Sequence, residues 1–207
     1  MKWRVDFISF TVYLCSVGVV FAEPIEWVRQ SQDTKAYDFE VGFEKETPRY
    51  VRVISHETGK TVQTLSDIDG EEWTDNKNEV LRVIDANFDS YLDIVVHGWS
   101  GGASPNNTDN YYLYNPKDEK FVFDKQLSEL TQLYFDTKNK KISTEFRDGC
   151  CHHGGSIYRY INGALIEIAN WDRAITADGD WEETTTGKLV NGKMKYHIKR
   201  RKANLNK

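Results

Sequence analysis

Apolar and polar residues alternate with a period of two over much of this chain, and that period predicts strands rather than helices. "YVRVIS" (50–55) alternates, "HETGK" reads as a turn, and "TVQTL" (61–65) returns. "VLRVID" runs into an acidic loop and "DIVVHGW" runs out of it. "YYLYNPKDEKFVF" (111–123) predicts a hairpin with Pro116 in the turn. "LTQLYFDTKNKKISTEF" (130–146) predicts another with a lysine-rich turn. The strongest hairpin signal is "SIYRYINGALIEIA" (156–169), where alternating residues flank Asn162-Gly163. A type I′ turn needs positive φ at both central positions, and Asn-Gly meets that need. "GKLVNGKMKYHI" (187–198) repeats the pattern around Asn191-Gly192. The one helical candidate, "DKQLSELTQ" (124–132), is short. Hairpins spaced about every 20 to 25 residues predict an all-β antiparallel meander. A small β-propeller-like fold fits this repetition, with a β-sandwich or barrel as the alternative. No linker divides the chain, so residues 23–207 are expected to form a single all-β domain.

The first 22 residues stand apart from this pattern. Lys2 and Arg4 precede a mostly apolar run, and Val20 and Ala22 suit the small-residue positions before a cleavage site. Residues 1–22 therefore read as a secretory signal peptide. The other reading, an uncleaved anchor, is disfavoured because the run is short and interrupted by Ser and Tyr. Cleavage would remove Cys15 and leave 25 basic against 31 acidic residues, a net charge of −6. That balance argues against general nucleic-acid binding. The expected location is the periplasm or the medium, with no membrane association after cleavage. The basic tail "KYHIKRRKANLNK" reads as a solvated edge strand with a frayed end.

"VIDANFDSYLDIVV" (83–96) carries the clearest chemistry. Asp85, Asn87, Asp89 and Asp93 occupy positions 1, 3, 5 and 9 of a loop between two apolar strands. Like charges so crowded call for a compensating cation. Calcium takes roughly six to eight oxygen ligands, often from one flexible loop. Asp85, Asn87, Asp89 and Asp93 would supply side-chain oxygens and Tyr91 a backbone carbonyl. The loop lacks the Gly and the closing Glu of an EF-hand, since Ser90 and Val96 stand there. A metal-free Asp/Asn turn is the alternative. Calcium here would be structural, because the loop itself fills the coordination positions.

Export also bears on Cys150 and Cys151, which are adjacent in "GCCHHGG". An oxidising compartment leaves few free thiols, and these two could close a vicinal disulfide or pair with another chain. Zinc is disfavoured, because ligands of a tetrahedral site are usually spaced by two or more residues.

No catalytic motif stands out among the carboxylates, serines and histidines, so an enzyme is not expected. Most of the large aromatics, Trp27, Trp73, Trp99, Trp171 and Trp181 among them, are expected in the core. Two Gly-rich stretches, "HGWSGGASPNNTDN" (97–110) and "RDGCCHHGGS" (147–156), look hard to pack and so are candidate binding loops.

In order along the chain stand a leader, "DANFDSYLDIVV", a Gly/Asn-rich loop, "YYLYNPKDEKFVFDKQLSEL" and "GCCHHGGSIYRYINGALIEI". Together, over roughly residues 50–170, they resemble the exported immunity proteins of bacterial type IV killing systems, themselves similar to periplasmic lysozyme inhibitors. The acidic loop is similar to the D-x-[DN]-x-D-G-x-x-D calcium loops of integrin-type propeller repeats, departing from them at Ser90. The resemblance implies a propeller-like fold, a calcium site and inhibition of a secreted peptidoglycan hydrolase or lysozyme, with a protruding loop in its catalytic cleft. Such inhibitors present a Ser-Gly motif with a nearby Tyr. Ser100-Gly101 matches the Ser-Gly part, and Tyr158 offers the Tyr near Gly155-Ser156. His152 and His153 are further candidates for contact with cleft carboxylates. A carbohydrate- or cell-wall-binding module without inhibitory activity is the alternative function.

Overall fold

The computed structural model describes residues 25–29, 35–72, 79–101 and 106–203. Residues 1–22, expected as a leader, lie outside the described residues, as do Trp73, residues 102–105, the last four residues and the side chain of Trp27.

Among the described residues, three antiparallel sheets follow one another along the chain, each a simple meander. The first contains β1 (Ile25–Arg29), β2 (Ala36–Glu44), β3 (Thr47–Ser55) and β4 (Thr61–Leu65). The second contains β5 (Leu81–Ile84), β6 (Asp93–Trp99), β7 (Thr108–Asn115) and β8 (Lys120–Phe123). The third contains β9 (Tyr134–Asp136), β10 (Lys141–Asp148), β11 (His152–Ile161), β12 (Ala164–Ile175), β13 (Trp181–Val190) and β14 (Lys193–Lys202). The all-β meander expected from the alternation is the architecture found. No sheet closes on itself, so the barrel alternative fails. Among the described residues a single short helix, α1 (Lys125–Ser128), links the second sheet to the third. It is the expected 124–132 helix in shortened form. The Asp124 carboxylate caps it by accepting the Leu127 N–H at 2.8 Å.

The turn chemistry acts as the sequence predicts. Asn162 and Gly163 adopt φ of 52° and 79°, and Asn191 and Gly192 adopt 51° and 74°. Both pairs close two-residue hairpins whose twist matches the flanking strands.

The second sheet lies between two cores. Ile94, Val96, Tyr112 and Tyr114 point to the first sheet and pack with Phe39, Val41, Val51 and Val53. Val95 and Tyr111 point the other way and pack with Leu127, Ile142 and Leu165 of the third. Strand β6 is therefore buried on both faces, which explains why it reads Ile-Val-Val rather than alternating. Each such residue contributes roughly 1.5–3 kcal/mol on full burial.

Two expectations fail here. Trp99, Trp171 and Trp181 are partly exposed, while Tyr37, Tyr111, Tyr112, Tyr114, Phe39 and Phe121 fill the cores. Tyr37 and Phe39 meet Phe121 edge to face and Tyr114 meets it tilted, at centroid distances of 5.2–5.9 Å. Phenyl-sized rings fit between sheets that meet in this way, and the indoles occupy outer positions. The stretch 147–156 is also no long loop. Strand β10 runs to Asp148 and β11 resumes at His152, leaving only residues 149–151 to turn. Gly154 and Gly155 are strand residues with aromatic rings over them. A Cβ on Gly154 would lie 2.3 Å from the Phe146 ring, and one on Gly155 would lie 2.4 Å from the Thr144 carbonyl oxygen. Glycine stands there to admit neighbours, a packing role that is easily mistaken for loop chemistry.

Candidate functional site

The acidic loop occupies residues 85–92 between β5 and β6, as its sequence predicts. Its carboxylates organise its own backbone. Asp85 accepts the N–H groups of Asp89 and Ser90, each at 3.0 Å. Asn87 Oδ1 accepts the Asp89 N–H at 3.0 Å, and Asp89 Oδ1 accepts the Tyr91 N–H at 2.9 Å. The Asn87 amide donates to Asp89 Oδ2 at 2.8 Å. Phe88 and Ser90 adopt positive φ, 62° and 74°, so the turn that glycine usually eases is taken by a serine.

Asp93 sits beneath the loop and is fully buried. Its Oδ2 accepts the Ala86 N–H and its Oδ1 the Tyr114 N–H, both at 2.8 Å. Burial pushes its carboxyl up to about 7; Asp89 and Asp85 add to the rise, and the two N–H donors oppose it. The loop-side donors are thus Asp85, Asn87 and Asp89, with Asp93 tying the loop to β7. Tyr91 packs its ring on Tyr114, at a centroid distance of 5.7 Å. Among the described residues no three His, Cys, Asp or Glu side chains converge as a metal centre. Each loop carboxylate oxygen keeps a second lone pair that could face a hard cation.

The structure brings the two Gly-rich stretches together. Asn106 Nδ2 donates to the Arg147 carbonyl at 2.8 Å, and Arg147 N–H donates to Asn106 Oδ1 at 2.9 Å. The next residue, Asn107, accepts the Gln132 N–H at 2.9 Å through its carbonyl. At the other foot of this loop, Ser100 N–H donates to Glu71 Oε1 at 2.8 Å. The Ser100 hydroxyl and N–H, with His97, hold Glu71 below the usual carboxylate range. Gly101 follows, exposed and at φ 68°.

Cys150 and Cys151 are joined to each other at the tip of the β10–β11 hairpin. Both histidines beside them are engaged locally. His152 Nε2 lies 2.7 Å from Asp172 Oδ2, with Asp148 3.7 Å from Nδ1. The Asp172 hydrogen bond raises its pKa above the ordinary histidine value. His153 Nε2 lies 3.3 Å from the Cys150 carbonyl. Tyr158 does not belong to the tip at all. It sits mid-strand, paired with Ile142, and packs on the second core, where burial raises its phenol pKa. Its place in sequence near Gly155-Ser156 suggests a loop, but a continuous β11 carries it inward.

A cleft of about 780 Å³ opens beside these feet, lined by Glu79, Arg82, His97, Ser100, Asp109 and Tyr134 among others. Arg82 and Asp109 pair across it at 2.5 Å, and His97 lies 3.6 Å from both Asp109 and Glu71. No sequence signal marks this cluster, because its members come from separate strands and connections.

No helix among the described residues is long and apolar enough to cross a membrane. No family model matches the chain, and no curated protein matches it. A solved structure of a Xanthomonas Type IV Secretion System related protein is similar to it, with a TM-score of 0.48 and 19% identity over 83% of this chain and 84% of that one.

Proposed function

We propose that this chain is an exported protein inhibitor, of the immunity type, that blocks the active site of a lysozyme-like peptidoglycan hydrolase and has no turnover of its own. The observation that carries the reading is a loop pinned at both feet. Ser100 is tied to Glu71 on one side, and Asn106 exchanges two hydrogen bonds with Arg147 on the other. Hydrogen bonds that already hold Ser100 and Asn106 lower the entropy cost of presenting those two residues to a partner. The Ser100-Gly101 pair, which the resemblance singles out, lies at the first foot. The cystine-tipped hairpin stands against the second.

The same reading gives the acidic loop a structural Ca²⁺, held by Asp85, Asn87, Asp89 and the Tyr91 carbonyl, with Asp93 beneath. The cation would offset the carboxylate charge gathered at positions 1, 5 and 9. It would also fix the start of β6, the strand that leads to Ser100. The reading places the protein in the periplasm and gives it a secreted hydrolase as partner.

The test is clearing of peptidoglycan by a panel of lysozyme types and co-secreted hydrolases, with purified protein added in the presence and absence of a calcium chelator. Dose-dependent inhibition that chelation weakens is the expected result. Inhibition indifferent to chelation removes the metal from the reading. No inhibition across the panel, with glycan retained by the protein alone, replaces it with a cell-wall-binding module.

A further inference from the structure

The third sheet separates charge between its two faces. Its inner face carries Ile142, Tyr158, Tyr160 and Leu165 into the second core. The register and the alternation of side chains then define the outer face. On it stand Lys141, Arg147, Arg159, Arg173, Lys188, Lys193, Lys195, Lys199 and Arg201, all but Lys141 exposed. Against these nine cations the same face sets Asp136, Glu145 and Glu182, leaving an excess of six positive charges. The chain as a whole is acidic, with a formal net charge of −5. A face of one sign on a protein of the other calls for an explanation.

Protection of an edge strand does not supply it. Lysines on β14 alone would blunt that edge. Here the cations run from β14 across the sheet to Arg173 on β12 and Arg159 on β11, which are interior strands. Trp171 lies in their midst, 37% exposed, with Gly155 beneath its indole. A shallow groove of about 460 Å³ is lined by Trp171, Arg173, Glu182, Thr184, Lys199 and Arg201. Arg201 is held by both oxygens of Glu182, at 2.8 and 3.0 Å, which fixes its guanidinium on the groove wall.

We propose that this face docks a linear anionic polysaccharide, with Trp171 stacking on a sugar ring and Arg173, Lys199 and Arg201 taking its acidic groups. The chemistry separates this ligand from other polyanions. Single-stranded nucleic acid is held by successive aromatic platforms, and this groove has one. A membrane surface would need an apolar wedge beside the cations, and the groove is lined by a single large apolar side chain. A flat ladder of cations around one indole suits a chain of charged rings. The inference does not depend on hydrolase inhibition.

The experiment is fluorescence anisotropy of a labelled heparin decasaccharide with the full chain at about 50 mM and about 200 mM salt. Competitors are neutral dextran, an oligo-dT of matched charge, and phosphatidylglycerol vesicles. The expected result is heparin binding that salt weakens and that outcompetes the other three. The triple variant Arg173→Gln, Lys195→Gln, Lys199→Gln should lose affinity by about tenfold or more. A second triple, Lys60→Gln, Lys117→Gln, Lys120→Gln, removes the same charge elsewhere and should change it by less than about twofold. Melting curves confirm that both variants are folded. Equal loss in the two triples reduces the effect to net charge and overturns the proposal. Absence of binding at low salt, or tighter binding of oligo-dT or vesicles, also overturns it.

Discussion

Asn106 and Arg147 lie 41 residues apart and exchange two hydrogen bonds, 2.8 and 2.9 Å long, so that one side-chain amide continues the backbone ladder of β10. This one contact joins the loop after β6 to the hairpin that ends in Cys150 and Cys151. It makes one surface of two segments that read in sequence as separate loops.

Asn106→Ala removes both bonds at once. The expected cost is about 1–2 kcal/mol of local stability, because the Arg147 N–H and carbonyl turn to water instead. Hydrogen exchange at Arg147 and limited proteolysis of the 100–107 loop would both quicken. If the protein inhibits a hydrolase as proposed, that inhibition would weaken through a faster off-rate. Unchanged exchange at Arg147 contradicts the clamp.

Asp93→Ala leaves the Ala86 and Tyr114 N–H groups buried without their acceptor. The loss should be about 3 kcal/mol in urea denaturation, since each orphaned donor costs roughly 1–3 kcal/mol. With wild-type protein, added calcium should raise the melting temperature at neutral pH, and Asp89→Ala should abolish that rise. A calcium effect that survives Asp89→Ala places the ion elsewhere.

His152 tests the hairpin by titration. Its folded pKa lies above the unfolded value because of Asp172. The pair therefore stabilises the fold fully below the unfolded pKa of about 6.5, and the contribution fades as pH rises through the higher folded value. The size is small, since both side chains are substantially exposed. NMR titration of the imidazole should show the raised pKa, and Asp172→Asn should return it towards the ordinary value. No movement in that variant would mean that the 2.7 Å contact does not form in solution.

Gly155→Ala should cost more than Gly154→Ala. The new methyl at 155 would lie 2.4 Å from the Thr144 backbone carbonyl oxygen, which cannot rotate aside, whereas at 154 the severe contacts are with the Phe146 ring, which can, and the nearest backbone oxygen, that of Trp171, lies 3.0 Å away. About 1–3 kcal/mol is expected for the first by thermal denaturation. Equal costs would show that β10 and β11 separate easily.

Replacing Cys150 and Cys151 by serine should change global stability by less than about 1 kcal/mol, because the bridge closes almost no chain. The effect belongs at the tip. Hydrogen exchange at residues 149–153 should rise, with the melting temperature nearly unmoved.

The sequence by itself determined whatever depends on neighbours along the chain. Asn162-Gly163 and Asn191-Gly192 carry their turn geometry in their own φ preferences, so both hairpins were legible. So were the alternating strands, the short helix after Phe123 and the acidic loop, where the Asp85 and Asp89 carboxylates bond to N–H groups within five residues. Tertiary structure decided what depends on register between distant strands. It buried β6 on both faces, made Gly154 and Gly155 into seats for Phe146 and Trp171, and sent Tyr158 inward instead of to a loop. It also lined up cations from β10 to β14 on one face. Alternation shows that a strand has two faces, but only pairing and packing decide which of them meets the core. That choice turns scattered lysines and arginines into one surface.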